Sequence, residues 1–519
     1  MRIGIDVGGT NTDAAILDGD RVVGACKSPT TSDVSSGIKA ALTTVMERTG
    51  ISTEQIEAVM IGTTHFTNAV IERRRLLEVA AIRIGLPATK GVPPMTDWPA
   101  DLADALGRHC FLLRGGHEYD GRLIAELDEV GLREVASEIR KRGLRTAAVT
   151  SVFSPVTAEM ELRAAEILLE EVPGLKISLS HEIGRVGFLE RENATIMNAC
   201  LADLSFKVVD SFRNALSEKG IKAPFYISQN DGTLMTPNHV ERYPVLTFAS
   251  GPTNSMRGAA RLAGLGDAMV VDIGGTTSDV GMLMQGFPRE SAVAVDIGGV
   301  RTNFRMPDVL AIGLGGGSIV RDNGMRIGPD SVGYEITTRA LVFGGDTLTT
   351  TDVVVAAGLA DVGDKSKVAH LEPELIENVI QTIHRMVDEA VDRMKTSSDP
   401  LPVILVGGGS ILISRDLPSA SKVIRPNNAG EANAIGAAIA QVGGEIDRIY
   451  AMEGRFREDV LAEAKAEASA NAVAAGADAA TVKILDIEEV PLAYLPGSAT
   501  RVRIKAVGDL KPEAREAAE

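Results

Sequence analysis

Aromatic side chains are scarce, at 4% of the 519 residues, and Trp98 is the single tryptophan. That scarcity argues against a protein that stacks bases or sugars on aromatic platforms. Cysteine is rarer still. Cys26, Cys110 and Cys200 form no CxxC pair, so neither a disulfide framework nor a thiolate zinc site is expected, and each reads as a small buried hydrophobe in a reducing cytoplasm. The seven histidines include no HxH or HExxH, which removes the commonest zinc-ligand spacings. No stretch of about 18 apolar residues is free of charge, so no membrane span is expected. The opening MRIGIDVGGT lacks a basic stretch followed by an apolar run, and a cytoplasmic chain without a secretory leader is the expectation. Basic residues are outnumbered 53 to 70, for a net charge of −17. Such a surface repels phosphate backbones, so no nucleic-acid partner is expected. Two phosphate-binding strings are also missing. There is no GxxxxGK[ST], and no GxGxxG opens a helix, which excludes a Walker loop and disfavours a Rossmann site.

What is present points to large cores. Hydrophobic residues make up 45% and charged residues 24%, which fits two to four globular domains at about 100–200 residues each. Short apolar runs ending in glycine alternate with stretches of helical spacing, the pattern of an α/β chain. Arg2 to Val7, Thr12 to Leu17 and Arg21 to Lys27 read as a meander, and Val34, Ile38, Leu42 and Val45 as a helix. One long helix is expected over Glu192 to Leu216. Another runs through Leu375, Val379, Ile383, Met386, Ala390 and Met394. The boundaries expected from composition are a lobe over 1–190 with an insertion at about 85–130, a second lobe over 191–443, and a small appended α+β element over 444–519. That last element combines a helix over Arg448 to Ala475 with two strands joined through Pro496-Gly497.

One string occurs twice. Asp6-Val-Gly-Gly-Thr-Asn-Thr-Asp13 matches Asp272-Ile-Gly-Gly-Thr-Thr-Ser-Asp279 at a constant separation of 266 residues. Each copy follows one apolar strand and precedes another, so the distance implies two related lobes. Glycines let backbone N–H groups approach phosphate oxygens closely, and the threonines add hydroxyl donors. Gly8, Gly9, Thr10, Asn11 and Thr12 in one copy, and Gly274, Gly275, Thr276 and Thr277 in the other, are therefore candidates to cradle the phosphates of ATP. Asp6 and Asp272 at the strand ends would repel phosphate directly. A hydrated Mg²⁺ held by the two of them would resolve the conflict, with Asp13 and Asp279 as candidate positioning groups. Gly407-Gly408-Gly409-Ser410 forms a third glycine turn at a strand end, where adenosine could lie against bare backbone.

These pieces in this order resemble the actin-like ATPase fold, two ribonuclease H-like lobes, shared by sugar kinases and chaperone ATPases. They are more closely similar to the hydantoinase A / 5-oxoprolinase family, which includes acetone carboxylase β-subunits and lactamase relatives. The strings that carry the likeness are Ile5 to Asp13, Gly62-Thr-Thr-His-Phe-Thr-Asn-Ala-Val-Ile-Glu-Arg73, Ser250-Gly-Pro252, Asp272 to Val280 and Ile312-Gly-Leu-Gly-Gly-Gly-Ser-Ile319. They span roughly Met1 to Gln441. The resemblance implies ATP-dependent activation of a cyclic amide such as a hydantoin, 5-oxoproline or a lactam, and a B-type partner subunit or a homo-oligomer. It adds Gly315, Gly316 and Gly317 to the nucleotide side. It adds His65 to the catalytic set, and Thr64, His65 and Asn68 to the substrate side, which His117, in the loop Gly115 to Asp120, could also line. A small-molecule kinase and a reactivating chaperone ATPase are the rival expectations. Three departures accompany the likeness. Longer members carry a further C-terminal region, the family's adenosine-side string reads Val406-Gly-Gly-Gly-Ser-Ile411 here, and a glutamine-glycine-asparagine-glycine-glycine string reads Gln229-Asn-Asp-Gly-Thr233.

Other residues carry plainer expectations. Arg73-Arg74-Arg75 reads as a solvated helix face. Ser250-Gly251-Pro252 reads as a helix start with Pro252 at N1. Gly344-Gly345-Asp346 and Thr351-Asp352 read equally as a nucleotide-closing loop or as a helix cap.

Overall fold

The computed structural model describes residues 1–8, 11–29, 34–184, 187–291, 294–304, 306–492 and 499–511. Gly9, Thr10 and the Pro496-Gly497 turn lie outside the described residues. Two sheets dominate. The first has nine strands in the order Lys483–Pro491, Thr500–Gly508, Gln441–Tyr450, Thr233–Met235, Phe225–Ser228, Ala58–Thr63, Arg2–Val7, Asn11–Asp18 and Arg21–Pro29. The second is built from Phe287–Pro288, Ser278–Met284, Ala268–Ile273, Leu401–Val406 and Ala420–Ile424, with Val309–Ile312 also on Ser278–Met284.

Both sheets share a kernel. Arg2–Val7 pairs antiparallel with the following strand and parallel with Ala58–Thr63. Ala268–Ile273 pairs antiparallel with its successor and parallel with Leu401–Val406. The register repeats too: Asp6 faces Asp13, and Asp272 faces Asp279.

The sheets do not divide where composition shifts. Residues 225–235, expected in the second lobe, pair with Ala58–Thr63 of the first sheet. The expected appended element is no separate layer either. Its strands extend the first sheet from Gln441–Tyr450 outward, and its helix, Arg457–Ala474, packs on them through Val460, Ala464, Ala468 and Ala472. Polar and apolar residues alternate in Thr500–Gly508, yet neither face is wet: Arg503 and Lys505 are only 8% and 3% exposed and both pair with Glu290. The insertion is larger than expected. Ala80–Leu86, His109–Arg114, Thr146–Ser151 and Lys176–Leu179 form their own four-stranded parallel sheet with a separate core. The long helix expected over Glu192 to Leu216 is two, Phe188–Cys200 and Ala202–Glu218, broken at Leu201.

Between the two sheets lie two crossing helices. Ser250–Ala263 carries the chain into Ala268–Ile273, and Ala432–Ala438 returns it to Gln441–Tyr450. Their contact is backbone on backbone. A Cβ on Gly258 would stand 1.9 Å from the Ala432 carbonyl oxygen, one on Gly436 1.8 Å from the Asn254 oxygen, and one on Gly4 1.9 Å from the Ala434 oxygen. Glycine at these positions lets strand, helix and helix stack without a side-chain layer. The first crossing helix starts two residues earlier than its proline suggests, because Ala249 adopts a left-handed φ of 57° as its N-cap. Arg73 is no solvated helix face: it ends its helix at φ 54° and donates to the Val70, Ile71 and Gly298 carbonyls. Among the described residues no helix is long and apolar enough to cross a membrane.

Gly258→Ala and Gly436→Ala should each destabilise the protein by about 1–3 kcal/mol, because the intruding methyl meets backbone and not a movable side chain. Urea unfolding of the two variants checks this, and midpoints matching the wild type would contradict the packing.

Candidate functional site between the two sheets

Strand alternation aims the repeated aspartates. In Arg2–Val7 the odd positions Ile3, Ile5 and Val7 enter the outer core, so Gly4 and Asp6 face the second crossing helix. In Ala268–Ile273, Met269, Val271 and Ile273 enter the second core, while Ala268 and Val270 pack beneath the first crossing helix and Asp272 shares their face. Both aspartates therefore point inward at the helix pair. Consecutive residues of the first crossing helix meet them: Asn254 lies beside Asp6, Ser255 beside Asp272, and each lowers its neighbour's pKa. Asn433, on the second crossing helix, donates to Asp6 Oδ2 at 3.2 Å.

Room for these carboxylates is made by two glycines ending the parallel neighbour strands. A Cβ on Gly62 would lie 2.4 Å from Asp6 Oδ1, and one on Gly407, at φ +79°, 2.2 Å from Asp272 Oδ1.

The result is a concentration of negative charge. Asp6 and Asp13 are only 4% and 5% exposed, and Asp272 and Asp279 are half-buried. Burial raises all four pKa values, and a neighbouring aspartate adds to the rise for three of them: Asp272 for Asp6 and Asp279, and Asp6 for Asp13. Asp13 is pushed up to about 6 and Asp279 to about 7. The difference has a register explanation. Lys27 stands opposite Asp13 and bonds its Oδ2 at 2.8 Å, whereas the residue opposite Asp279 is Ala311. One lobe thus supplies a cation where the other supplies a methyl group. Lys27 also lowers the pKa of Asp6 and Asp272.

The two loops close identically. Gly8 N–H donates to the Asn11 carbonyl at 3.0 Å, and Gly274 N–H to the Thr277 carbonyl at 2.9 Å. Gly275, Thr276 and Thr277 are exposed at the tip, and Asn11 is half-buried, but Thr12 is fully buried. Gly315, Gly316 and Gly317 do not line the open side with free amides. Gly316 and Gly317 donate to the Gly274 and Gly275 carbonyls at 3.0 and 2.7 Å, and Gly315 has no space for a Cβ beside Thr276 N. They brace the second loop from behind. Thr350 and Thr351 brace them in turn through the Gly315 and Gly316 carbonyls. Asp352 completes a capping box with Thr349 and accepts from Val342 N–H, so it caps a helix.

Gly407 and Gly409 pack on Ile273 and Gly274 beside that loop. Gly408 is open to solvent, and Ser410 N–H bonds the Gly407 carbonyl. On the first lobe, Thr64 N–H reaches the Val7 carbonyl at 3.4 Å, which places the segment Thr64 to Asn68 beside the first loop. Asn68 donates to Thr64 Oγ1, and His65 Nδ1 meets Thr63 Oγ1 at 2.6 Å. Burial and Arg75 push the His65 pKa down to about 4, so His65 is neutral at pH 7. His117 is elsewhere: it is buried in the loop that follows His109–Arg114, bridged to Leu123 and with N–H to the Val152 carbonyl at 3.4 Å. The residues that support the site without appearing in the repeat are Lys27, Asn254, Asn433, Gly62 and Gly407. Lys27 could have been found by counting the hairpin back from Gly19. The two asparagines, 248 and 427 residues from Asp6, carry no local signal.

The residues fit a divalent cation shared with phosphate. Asp6 Oδ1 and Asp13 Oδ1 are buried without a hydrogen-bond partner, and among the described residues Lys27 is the one cation bonded to any of the four carboxylates. No cluster of three ligating side chains occurs among the described residues, so water and phosphate oxygens would have to complete the coordination of such an ion.

Raised carboxyl pKa values have a stability consequence. The folded state holds protons on Asp13 and Asp279 that the unfolded chain releases near 3.8, so their stabilisation is complete below that pH and is lost as pH rises through about 6 and about 7. Asp279→Asn should therefore flatten the upper part of the fall in thermal midpoint and exceed the wild type at about pH 8. Thermal scans of metal-free protein across pH test this, and parallel curves would refute it.

Comparison with known proteins identifies the family and the fold. The hydantoinase/oxoprolinase N-terminal region matches residues 2–172 and the hydantoinase/oxoprolinase domain residues 191–364, together about two thirds of the chain. The acetophenone carboxylase gamma subunit of Aromatoleum aromaticum is 26% identical over 396 residues, covering 69% of this chain and 53% of that one. The caprolactamase subunit alpha of Pseudomonas jessenii is 26% identical over 401 residues, covering 69% and 55%. The chain thus spans little more than half the length of these relatives. The crystal structure of the ATP-dependent caprolactamase from Pseudomonas jessenii superposes with a TM-score of 0.81 at 19% identity, over 99% of this chain and 88% of that one, and so shares the mixed α/β fold. By these matches, and by its duplicated loops, the chain belongs to the hydantoinase/oxoprolinase family.

Proposed function

We propose that this chain is an ATP-dependent subunit that phosphorylates, and so activates, the carbonyl of a cyclic amide for ring opening, together with a partner subunit. The observation that carries the reading is the pair of glycine turns with matching closing bonds, each set between two aspartates, that lie on either side of the crossing helices with surplus buried negative charge. Relatives named as caprolactamase and carboxylase subunits support it, since both names imply a carbonyl compound as substrate.

In this reading the ATP phosphates lie between Gly8 and Gly274 to Thr277, and the sequence repeat assigns Gly9 and Thr10 to the same phosphate side. The adenosine would lie toward the solvent-open backbone of Gly408. Asp6 and Asp272 would hold Mg²⁺, which would supply positive charge against the phosphates. Lys27 keeps Asp13 ionised beside Asp6. Neutral His65, Thr64 and Asn68 present hydrogen-bonding groups from the first lobe to the substrate carbonyl, whereas His117 is buried in the loop that follows His109–Arg114 and belongs to the packing there. The amide oxygen attacks the γ-phosphorus, ADP leaves, and water adds at the activated carbon. Collapse then breaks the C–N bond, with a proton passing to the departing nitrogen, and a second water hydrolyses the resulting acyl phosphate to carboxylate and phosphate. The protein's share is positioning and charge neutralisation, and lobe closure about the crossing helices excludes water before transfer.

The test is ADP formation with hydantoin, 5-oxoproline or caprolactam, with and without a B-type subunit. ADP formation that depends on the ring and yields a ring-opened product supports the reading. A stable phosphorylated product would make the protein a kinase, and turnover that responds only to a protein partner would make it a chaperone-type ATPase. Asp272→Ala should lower turnover on the order of a hundredfold, as loss of correct positioning does. Wild-type turnover in that variant would remove the metal assignment.

A further inference from the structure

A second cavity lies at the far end of the same elements. Arg2–Val7, Ala268–Ile273 and the hairpin partners of both begin or end there, roughly 15–17 Å back along the strand at about 3.3 Å per residue. The two crossing helices also run from the carboxylates to this end. Ser250 and Asn433 are near the front, whereas Gly264 and Ile439 line the back. The cavity has a volume of about 740 Å³ and is walled by both lobes: Arg2 and Asp18 from the first sheet, Gln285 and Phe287 from the second.

Its charges are unequally committed. Each carboxylate on its wall already has a partner. Asp18 meets Arg21 at 3.5 Å, Asp20 pairs with Arg261, Glu57 meets the N-terminal amine at 3.2 Å, and Asp509 accepts from Gln441 at 2.8 Å. Three cations on the wall have no ion-pair partner among the described residues: Arg2, Arg257 and Lys483. Arg257 is the informative one. It is only 6% exposed, its Nη1 donates to the Gly232 carbonyl at 2.7 Å, its guanidinium lies 3.9 Å over the Phe287 ring, and its Nε has no partner. Its Nη2 reaches the Gln441 side-chain oxygen at 3.5 Å, and Asp231 and Asp509 attract it from beyond ion-pair distance; a buried guanidinium with no carboxylate bonded to it is costly unless an anion completes it. Arginine offers the planar donor fork that suits carboxylate and phosphate groups. A cavity of this size falls within the range of small-molecule sites.

We propose that this rear cavity is a binding site for a small anionic metabolite, one bearing carboxylate or phosphate groups, held by Arg257 with Arg2 and Lys483. The ligand bridges the first sheet and the first crossing helix, on the side of the molecule opposite the glycine loops.

Calorimetric titration of the full chain with citrate and, separately, with inorganic phosphate tests the site and distinguishes the two anion chemistries. One equivalent of at least one probe should bind. The exposed double variant Arg2→Gln/Lys483→Gln should weaken it about tenfold or more, Arg257→Met should abolish it, and saturating ADP should leave it in place. If Arg257→Met does not fold, the double variant decides alone. Failure of both probes to bind, unchanged affinity in the double variant, or displacement by ADP would each overturn the proposal. The readout is binding and not turnover, so it stands or falls independently of the activity proposed above.

Discussion

The close approach of the two crossing helices governs the rest of the molecule. Gly4, Gly258 and Gly436 let a strand and two helices touch backbone to backbone. Two sheets that would otherwise be separated by a full side-chain layer are drawn together around one shared pair of helices. The helix entering the second lobe packs on that lobe's sheet, and the returning helix packs on the first. Any rotation of one sheet against the other must therefore be absorbed where these helices meet.

That proximity creates the electrostatics of the site. Asp6 and Asp272 face the helix pair from opposite sheets, close enough for Asp272 to raise the pKa of Asp6. The cost of holding like charges out of water is offset in part by Asn254, Ser255, Asn433 and Lys27. The two halves are not equivalent. Lys27 serves the first lobe and Ala311 replaces it in the second, so the duplicated turns share geometry while their charge differs. A bound metal and phosphate chain would find a neutralised aspartate on one side and an unneutralised one on the other.

The inserted parallel sheet and the C-terminal strands show how accretion preserved this kernel. The insertion builds its own core and leaves the pairing of Ala58–Thr63 intact. The C-terminal strands lengthen the first sheet at its far edge, away from the repeated hairpin. Both additions leave the strand ends at Val7 and Ile273 free to turn.

The sequence by itself determined the duplicated turns, because spacing and residue type suffice to place a glycine turn between two apolar strands. The 266-residue offset reappears intact in the register of Asp6 with Asp13 and Asp272 with Asp279. Helical spacing likewise marked the long helix Pro373–Met394. Composition did not reveal where the sheets divide, because hydrogen-bonded neighbours such as Leu234 and Val442 lie far apart in the chain. Nor could it separate glycines that present free backbone from those that brace it, as Gly316 and Gly317 do, since the same residue serves both. Only the tertiary structure brought Asn254 and Asn433 to Asp6, set His117 apart in the insertion, and turned Arg257 toward a rear cavity. Those are contacts between distant segments, and they exist only once the crossing helices have closed upon each other.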